Sequence, residues 1–357
     1  MPEPPVVTVL MATFNDAAFL PEAARSILAQ TFAEFEFLII DDASTDETSR
    51  YLGNVQDPRV RVIRNDSNQG LTRSLKRGIE LARGSFIARL DADDVALPGR
   101  LEQQIHFMEK HPEVAILGGA CLLVDEAGKP FAIQRQPEND LTIRWTSLLT
   151  NPFVHSTVML RRHALREHGL NYNEAFDTSQ DYDLWTRLLR HGKGANLSTP
   201  LIRYRVRPGI TRKRRERQIE HAKFIAARTI RDELPGSGLQ PEQVSGLLDW
   251  LFPESWSQKK ARPRVISLVK LQCQLHSEFA AKYASHPDLP VLRRRHFAQM
   301  IRVLRNAGLS PDWGKAWIFV LRKEPLAPVW AALDLLRSLG GRISFLRSRQ
   351  TLKTGCS

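Results

Sequence analysis

The stretch Phe86-Ile87-Ala88-Arg89-Leu90-Asp91-Ala92-Asp93-Asp94 decides the reading of this chain, because a strand-length, largely apolar run delivers three carboxylates within four positions. A run this short, closed off by polar residues, reads as a buried strand rather than a helix. Working back toward the N-terminus, residues 60–63, 35–40 and 6–11 repeat the pattern. Between these runs, residues 19–32 carry Leu20, Ala23, Ala24, Ile27 and Leu28 at helical spacing, and residues 71–82 carry Leu71, Leu75, Ile79 and Ala82. Strands alternating with amphipathic helices predict an α/β fold, Rossmann-like, with a mostly parallel sheet flanked by helices. In such a sheet the ligand sits beyond the carboxyl ends of the strands, and the acids fall at that edge.

A second acidic turn, Asp41-Asp42-Ala43-Ser44-Thr45-Asp46, follows the run at 35–40. Either turn by itself is as readily a set of caps, with Ser44 or Thr45 capping a helix that holds Glu47 or Thr48 in its first turn. Two such turns at one sheet edge favour chemistry. Hard carboxylate oxygens at the mouth of a sheet bind a divalent cation, Mn²⁺ or Mg²⁺, which neutralises substrate phosphates. Asp-x-Asp sends both side chains to the same side of an extended segment. One carboxylate can then take the metal while the other meets a ribose or sugar hydroxyl.

The two turns belong to a series of segments that resembles the family 2 glycosyltransferases of the GT-A fold. The carriers are Val7-Thr8-Val9-Leu10-Met11-Ala12-Thr13-Phe14-Asn15, Leu38-Ile39-Ile40-Asp41-Asp42-Ala43-Ser44-Thr45-Asp46 and Asn68-Gln69-Gly70-Leu71. They continue with Ala82-Arg83-Gly84-Ser85 running into the opening stretch, then His155-Ser156-Thr157-Val158-Met159 and Gln180-Asp181-Tyr182-Asp183-Leu184-Trp185. Their order agrees with the family over residues 6–210.

The resemblance implies that Ala12, Thr13 and Asn15 contact a nucleotide and that Asp42 bonds its base or ribose. It implies that Asp91 faces the ribose and donor sugar, and that Asp93 ligates Mn²⁺ or Mg²⁺ bridging a diphosphate. Asp181 falls where the family places its general base, and Gln180 replaces the first acid of that pair. His155 and Arg205 are candidates to meet charge on the leaving group. Asp94 is either a further member of the cluster or a cap for a helix starting near Pro98. Bland readings stand beside these: Asp181 as a helix cap together with Asp183, and His155 as a packed loop histidine.

The implied reaction is inverting transfer of a single sugar from a nucleoside-diphosphate donor, UDP foremost, to a hydroxyl of a glycan or lipid-linked acceptor in cell-surface polysaccharide assembly. The base takes the hydroxyl proton as its oxygen attacks the anomeric carbon. Lys76 stands where relatives often carry Asn, and Arg207 where a His often follows Tyr204-Arg205. The Gln-x-x-Arg-Trp motif of processive synthases is absent, which fits one sugar per binding event.

Charge divides the chain. Residues 1–200 hold 21 Lys+Arg against 27 Asp+Glu, whereas residues 201–357 hold 30 against 12, so the net +12 belongs to the C-terminal part alone. There the texture changes to basic-faced helices, with stripes at Ile219, Phe224 and Ile225, at Val265, Ile266, Leu268, Val269 and Leu271, and at Val291, Leu292, Phe297, Met300, Ile301 and Leu304. We therefore expect a catalytic domain over residues 1–211 and a basic helical region over 212–357. The run Thr211-Arg212-Lys213-Arg214-Arg215-Glu216-Arg217 and the cluster Arg293-Arg294-Arg295 are either solvated faces or attractors of an anionic membrane surface. Trp313, Trp317, Phe319, Trp330, Leu333, Leu336 and Phe345, interleaved with Lys315, Arg322, Lys323, Arg337 and Arg342, suit an interfacial helix.

Three scattered cysteines without Cys-x-x-Cys indicate neither a disulfide framework nor a zinc ribbon. Without a signal-like start or an apolar run long enough to span a bilayer, the expectation is a cytoplasmic protein, peripheral at most on the inner face of the membrane. Rival functions fare less well. A metal-dependent nucleotidyltransferase usually needs a glycine-rich phosphate loop, and residues 10–16 hold no glycine. A nucleic-acid binder leaves the acidic first half unexplained, so no nucleic-acid partner is expected. A non-catalytic nucleotide-binding relative is disfavoured by the retained Asp93 and Asp181.

Overall fold

The computed structural model describes residues 4–207, 211–251, 265–306 and 313–329. The four apolar runs form β1 (Val7–Thr13), β2 (Phe35–Asp41), β3 (Val60–Arg64) and β4 (Phe86–Arg89), parallel throughout in the order β3-β2-β1-β4. The helices α1 (Leu20–Leu28), α2 (Thr48–Gly53) and α3 (Leu71–Leu81) connect them. α1 stops short of the expected residue 32, where the Gln30 side-chain amide turns to the carbonyls of Ser26 and Leu97.

Side-chain alternation explains why these strands are apolar at nearly every position. Val7, Val9 and Met11 of β1 pack on one face with Phe37, Ile39, Leu20, Ala24 and Ile27, whereas Leu10 and Ala12 pack on the other with Leu38, Ile40, Leu75 and Ile79. Each large aliphatic side chain buried this way contributes about 1.5–3 kcal/mol. Close approach is required where Gly84 meets β1, since a Cβ there would strike the backbone of Val7 and Thr8.

The second half of the sheet is mixed. β5 (Val95–Ala96), β6 (Val114–Val124), β7 (Pro130–Gln134), β8 (Met159–Arg161) and β9 (Lys193–Arg205) complete the order β3-β2-β1-β4-β8-β6-β9-β5, with β7 on β6. Only the β6–β9 pairing here is parallel; β4–β8, β6–β8, β6–β7 and β5–β9 are antiparallel. The helices α4 (Arg100–Lys110), α5 (Asp140–Ser147), α6 (Arg162–Glu167) and α7 (Gln180–Leu188) lie between these strands in sequence.

The chain groups into two compact units, residues 1–229 and 230–357. Much of α8 (Arg212–Glu233) therefore belongs with the first unit. Asp183, fully buried in α7, accepts from Arg187 of its own helix and from Arg228 of α8 at 2.6 Å each. In the second unit, Val269 of α10 (Val265–Lys282) packs with Phe297, Met300, Ile301 and Leu304 of α11 (Leu289–Asn306) and with Ala316 and Val320 of α12 (Trp313–Lys323). α9 (Pro241–Leu251) precedes them. The expected stripes hold at Ile225 and Leu292, but Phe224 and Val291 are exposed. Trp317 and Phe319 pack partly buried against this helical core rather than facing outward; Trp330, Leu333, Leu336, Arg337, Arg342 and Phe345 lie outside the described residues. No helix among the described residues is long and apolar enough to cross a membrane.

Candidate active site

The register sets the carboxyl ends of β1 and β2 level, with Thr13 opposite Asp41. The loop after β1 is stitched to the loop after β2 by Asn15, which sits in the left-handed region at φ 56°. Asn15 Oδ1 accepts from the N–H groups of Thr45 (2.8 Å) and Asp46 (3.3 Å), and its own N–H donates to Ser44 Oγ (3.1 Å). Thr13 Oγ1 donates to Asp16 (3.0 Å), and Ala12 is buried within the ladder. Ser44 and Thr45 do not cap α2, whose cap position is Glu47; the Asp46 carboxylate accepts from Thr48 N–H instead.

Asp41 and Asp42 are both buried, and their oxygens face inward to the protein. Asp42 accepts from Asn65 Nδ2 (2.7 Å), Gln69 N–H (2.9 Å) and Gly70 N–H (2.8 Å), and so fixes the loop that opens α3. Gly70 is needed there at φ 86°. Asp41 accepts from Ser44 N–H, Ser49 Oγ and Arg64. Burial alone would lift the Asp41 carboxyl, but those hydrogen bonds and the Arg64 charge hold it below 3.8.

The acids after β4 are arranged differently. Asp91, with its side chain 29% exposed, accepts from Arg89 and from Ser156 Oγ (2.7 Å), while the same hydroxyl accepts from Asp91 N–H (3.0 Å). Burial raises and the charges of Arg89 and His155 lower its carboxyl, with the net shift downward. Asp93, 26% exposed, has one side-chain partner among the described residues, Arg207 at 3.2 Å. Burial and the neighbouring Asp91 push the Asp93 carboxyl up, against the pull of Arg207. Asp94 is buried, with one oxygen accepting from Arg205 N–H (2.9 Å) and the other without a partner. Burial and the two flanking carboxylates push it well up. It does not cap α4, whose cap residue is Gly99; it anchors the end of β9 instead.

Asp16 joins this acidic mouth, its carboxyl raised by burial and by Asp91. Beneath the mouth lie two buried arginines. Arg89 reaches the carbonyls of Leu10 and Leu90 as well as Asp91, and Arg100 donates to Gln104 (3.0 Å) and to the Arg89 carbonyl (2.7 Å). Burial pulls the Arg100 guanidinium down to about 9.

Arg205, expected among the donor contacts, is held inside the protein. Its guanidinium donates to Glu22 (2.8 Å), to the carbonyls of Glu126 (2.7 Å) and Asp93 (3.1 Å), and lies over the Phe19 ring. The exposed cation beside Asp93 is Arg207, which also lies over Phe19.

Asp181 stands in the first turn of α7, and Ser179, ahead of it, has a left-handed backbone at φ 56°. Its carboxylate accepts from Asn151 Nδ2 (2.7 Å) and from Tyr182 N–H (2.8 Å), so it caps no earlier N–H group of the turn. His155 is bonded to Tyr172 Oη at 2.8 Å and sits edge-on to Trp185. Burial and Arg89 depress the His155 imidazole while Asp91 and Asp181 pull it up, and the net shift is downward. Among the described residues, left-handed backbone at non-glycine positions occurs at Asn15, Ala43 and Ser179. Asn15 is itself a candidate residue, Ala43 follows Asp42 and Ser179 stands two positions before Asp181; such strain, about 1–3 kcal/mol apiece, gathers at functional sites.

Sequence reasoning missed Asp16, Asn65, Arg100, Asn151, Ser156 and Tyr172 as partners of the site. One signal was legible: Arg89 is a charged residue within an apolar strand, and buried charge is costly unless paired. The others are polar residues whose roles appear only when distant loops meet.

The comparisons with known proteins fit this geometry. The sequence profile described as glycosyl transferase family 2 matches residues 8–169. EpsE of Bacillus subtilis (strain 168), named as a glycosyltransferase, is 36% identical over 209 residues, covering 56% of this chain and 73% of that protein. The chain belongs to glycosyltransferase family 2. AmsE of Erwinia amylovora, named for amylovoran biosynthesis, is 31% identical over 214 residues, covering 58% and 79%. Among solved structures, S. aureus TarS 1–349 in complex with UDP superposes with a TM-score of 0.54 at 19% identity, covering 80% of this chain and 86% of that one. The mannosyltransferase PcManGT of Pyrobaculum calidifontis, in complex with GDP-Man and Mn²⁺, gives 0.50 at 15% identity, covering 94% and 88%. At these identities the solved structures bear on the fold alone, which is GT-A, with helices following the mixed sheet. This family 2 member is a glycosyltransferase.

Proposed function

We propose that the protein transfers a single sugar, with inversion, from a nucleoside-diphosphate sugar to a hydroxyl of a glycan or lipid-linked acceptor in polysaccharide assembly. The observation that carries the reading is that His155 stands between the two acids: its neighbour Ser156 donates to Asp91 (2.7 Å), and its ring is edge-on to Trp185, one turn after Asp181 on α7. A donor acid and a base therefore border one space. Asp181, oriented by Asn151, accepts the proton of the acceptor hydroxyl as that oxygen attacks the anomeric carbon and the bond to the diphosphate breaks. Asp91, held by Arg89 and Ser156, presents its remaining lone pairs to donor hydroxyls. The names of EpsE and AmsE, and the ligands in the titles of TarS and PcManGT, support the donor and pathway class without choosing among bases.

A divalent cation fits Asp93. Among the described residues no three His, Cys, Asp or Glu side chains converge to hold a metal unaided. Asp93, with Asp91 two positions before it, supplies the one or two carboxylates with which Mg²⁺ is held when substrate phosphates complete the shell. When bound, Mn²⁺ or Mg²⁺ neutralises charge developing on the leaving diphosphate. Arg207, paired with Asp93 at 3.2 Å, would compete with a bound cation for that carboxylate.

A screen of UDP-, GDP- and dTDP-sugars for Mn²⁺-dependent thermal stabilisation tests the reading. A donor at 100 times its Kd adds about 2.7 kcal/mol, a rise of roughly 5–10 °C for a domain of this size. Absence of stabilisation by every donor, with Mn²⁺ or Mg²⁺, overturns it, and release of sugar 1-phosphate rather than nucleoside diphosphate would mark a nucleotidyltransferase.

Peripheral membrane association is a second element of the proposal. Ile318 (54%), Leu326 (54%) and Val329 (53%) are exposed beside the exposed Lys315, Arg322 and Lys323, an amphipathic mixture suited to an anionic interface.

A further inference from the structure

The basic run at 211–217 has a place in the first unit that the reaction above leaves unused. A cleft of about 560 Å³ opens between the start of α3, the segment before α7 and the start of α8. Its charged lining is Arg73, Glu174, Asp177, Lys213, Arg214 and Arg217. The two acids are already matched: Glu174 bonds Arg73 (2.9 Å) and Lys76 (2.5 Å), and Asp177 pairs with Arg217 at 3.0 Å. Lys213 and Arg214 have no acidic partner among the described residues, so the lining carries two cations in excess. The volume lies within the range of small-molecule sites, about 300–1,000 Å³, and accommodates a phosphosugar unit.

We infer that this cleft binds an anionic group, phosphate or carboxylate, carried by the saccharide acceptor. The inference rests on the glycosyltransferase reading above and deepens it. Two features assign the anion to the acceptor rather than the donor. The donor diphosphate has its own station at Asp93, on the loop after β4, whereas none of the residues of that loop lines the cleft. The wall that holds Glu174 and Asp177 leads directly into Asp181, the group that must meet the acceptor hydroxyl. That wall is pinned to α3 by Thr72 Oγ1 donating to the Phe176 carbonyl (2.8 Å), so the base and the cationic cleft are held by one segment. An acceptor that carries a negative charge is thereby selected over a neutral one, and its capture weakens with salt.

The test uses the full chain with glucose 1-phosphate and glucose as probes, titrated in low salt and followed by calorimetry, with UDP, GDP and dTDP titrated separately. Glucose 1-phosphate binds and glucose does not; K213A/R214A weakens glucose 1-phosphate at least about tenfold, because its phosphate loses two charged hydrogen-bond donors. Arg215→Ala, exposed and outside the cleft, leaves that affinity unchanged, and UDP binds the double variant as it binds the wild type. Equal binding of the two probes, or glucose 1-phosphate affinity untouched in K213A/R214A, overturns the inference. Phosphatidylglycerol vesicles form the second arm. If K213A/R214A and R215A lower vesicle binding alike while glucose 1-phosphate affinity stays at wild-type level in both, the run serves a membrane surface instead. Failure of UDP, GDP and dTDP alike to bind the wild type counts against the nucleotide-sugar reading, independently of the phosphosugar result.

Discussion

The two acidic turns at the sheet edge look alike in sequence and are opposite in structure. Asp41 and Asp42 are closed: buried, with their oxygens filled by Ser44, Ser49, Arg64, Asn65, Gln69 and Gly70. Asp91, Asp93 and Asp94 are open: two are partly exposed, one has a single arginine for a partner, and one leaves an oxygen unbonded. Carboxylates whose lone pairs are taken by the protein shape a loop, while carboxylates with lone pairs to spare bind something else. The resemblance assigns ligand contact to both turns; the geometry leaves Asp42 buried and bonded to the loop that opens α3, and leaves Asp91 and Asp93 partly exposed.

The largest effect that would break this division is on turnover. Asp93→Ala is expected to cut transfer on the order of 10³-fold and to abolish the Mn²⁺-dependent rise in Tm with donor, leaving the Tm of the free protein nearly unchanged. Asp181→Asn should cost about 10²–10⁴-fold in kcat while keeping the metal-dependent rise. Steady-state rates and thermal scans on the same preparations check both.

Asp42→Ala should act in the other currency, stability, because it strands the N–H groups of Gln69 and Gly70 and the Asn65 amide. A loss of roughly 3 kcal/mol corresponds to a fall of about 6–12 °C for a domain of this size. Unaltered Tm with lost donor binding would place Asp42 with the open turn instead.

Asp41 sharpens the contrast through pH. Its folded carboxyl titrates below 3.8, so its stabilisation is fully present above the unfolded value and disappears as pH falls through the folded one. Urea midpoints of wild type and Asp41→Asn should differ at pH 7 and converge progressively below about pH 4. The smallest change belongs to Arg207→Ala. Half-exposed ion pairs contribute about 0–1 kcal/mol, so stability holds, while the Mn²⁺ concentration for half-maximal stabilisation falls because a competing cation has been removed.

How much of this was legible in the sequence follows the same physics. The parallel strands were readable because strands buried on both faces are continuously apolar. The mixed half was not: β6 carries Gly118-Gly119 at its centre, β9 runs through Asn196, Ser198, Thr199 and Pro200, and β8 has three residues. Candidate residues with a distinctive spacing, such as Asp91, Asp93 and Asp181, could be singled out as expectations. Arg205 and Arg207 could not be told apart, because two arginines two residues apart differ only in whether Glu22 and the Glu126 carbonyl are within reach.

The pairing of Asp183 with Arg228 has a practical meaning for where the polypeptide can be shortened. A chain ending at residue 211 would keep every residue of the acidic mouth yet strip a fully enclosed anion of one of its two counter-charges, a defect of about 3–5 kcal/mol. A chain ending just after Thr229 retains that cation. The lower bound of the first compact unit is therefore marked by an arginine that lies 47 positions beyond Asp181.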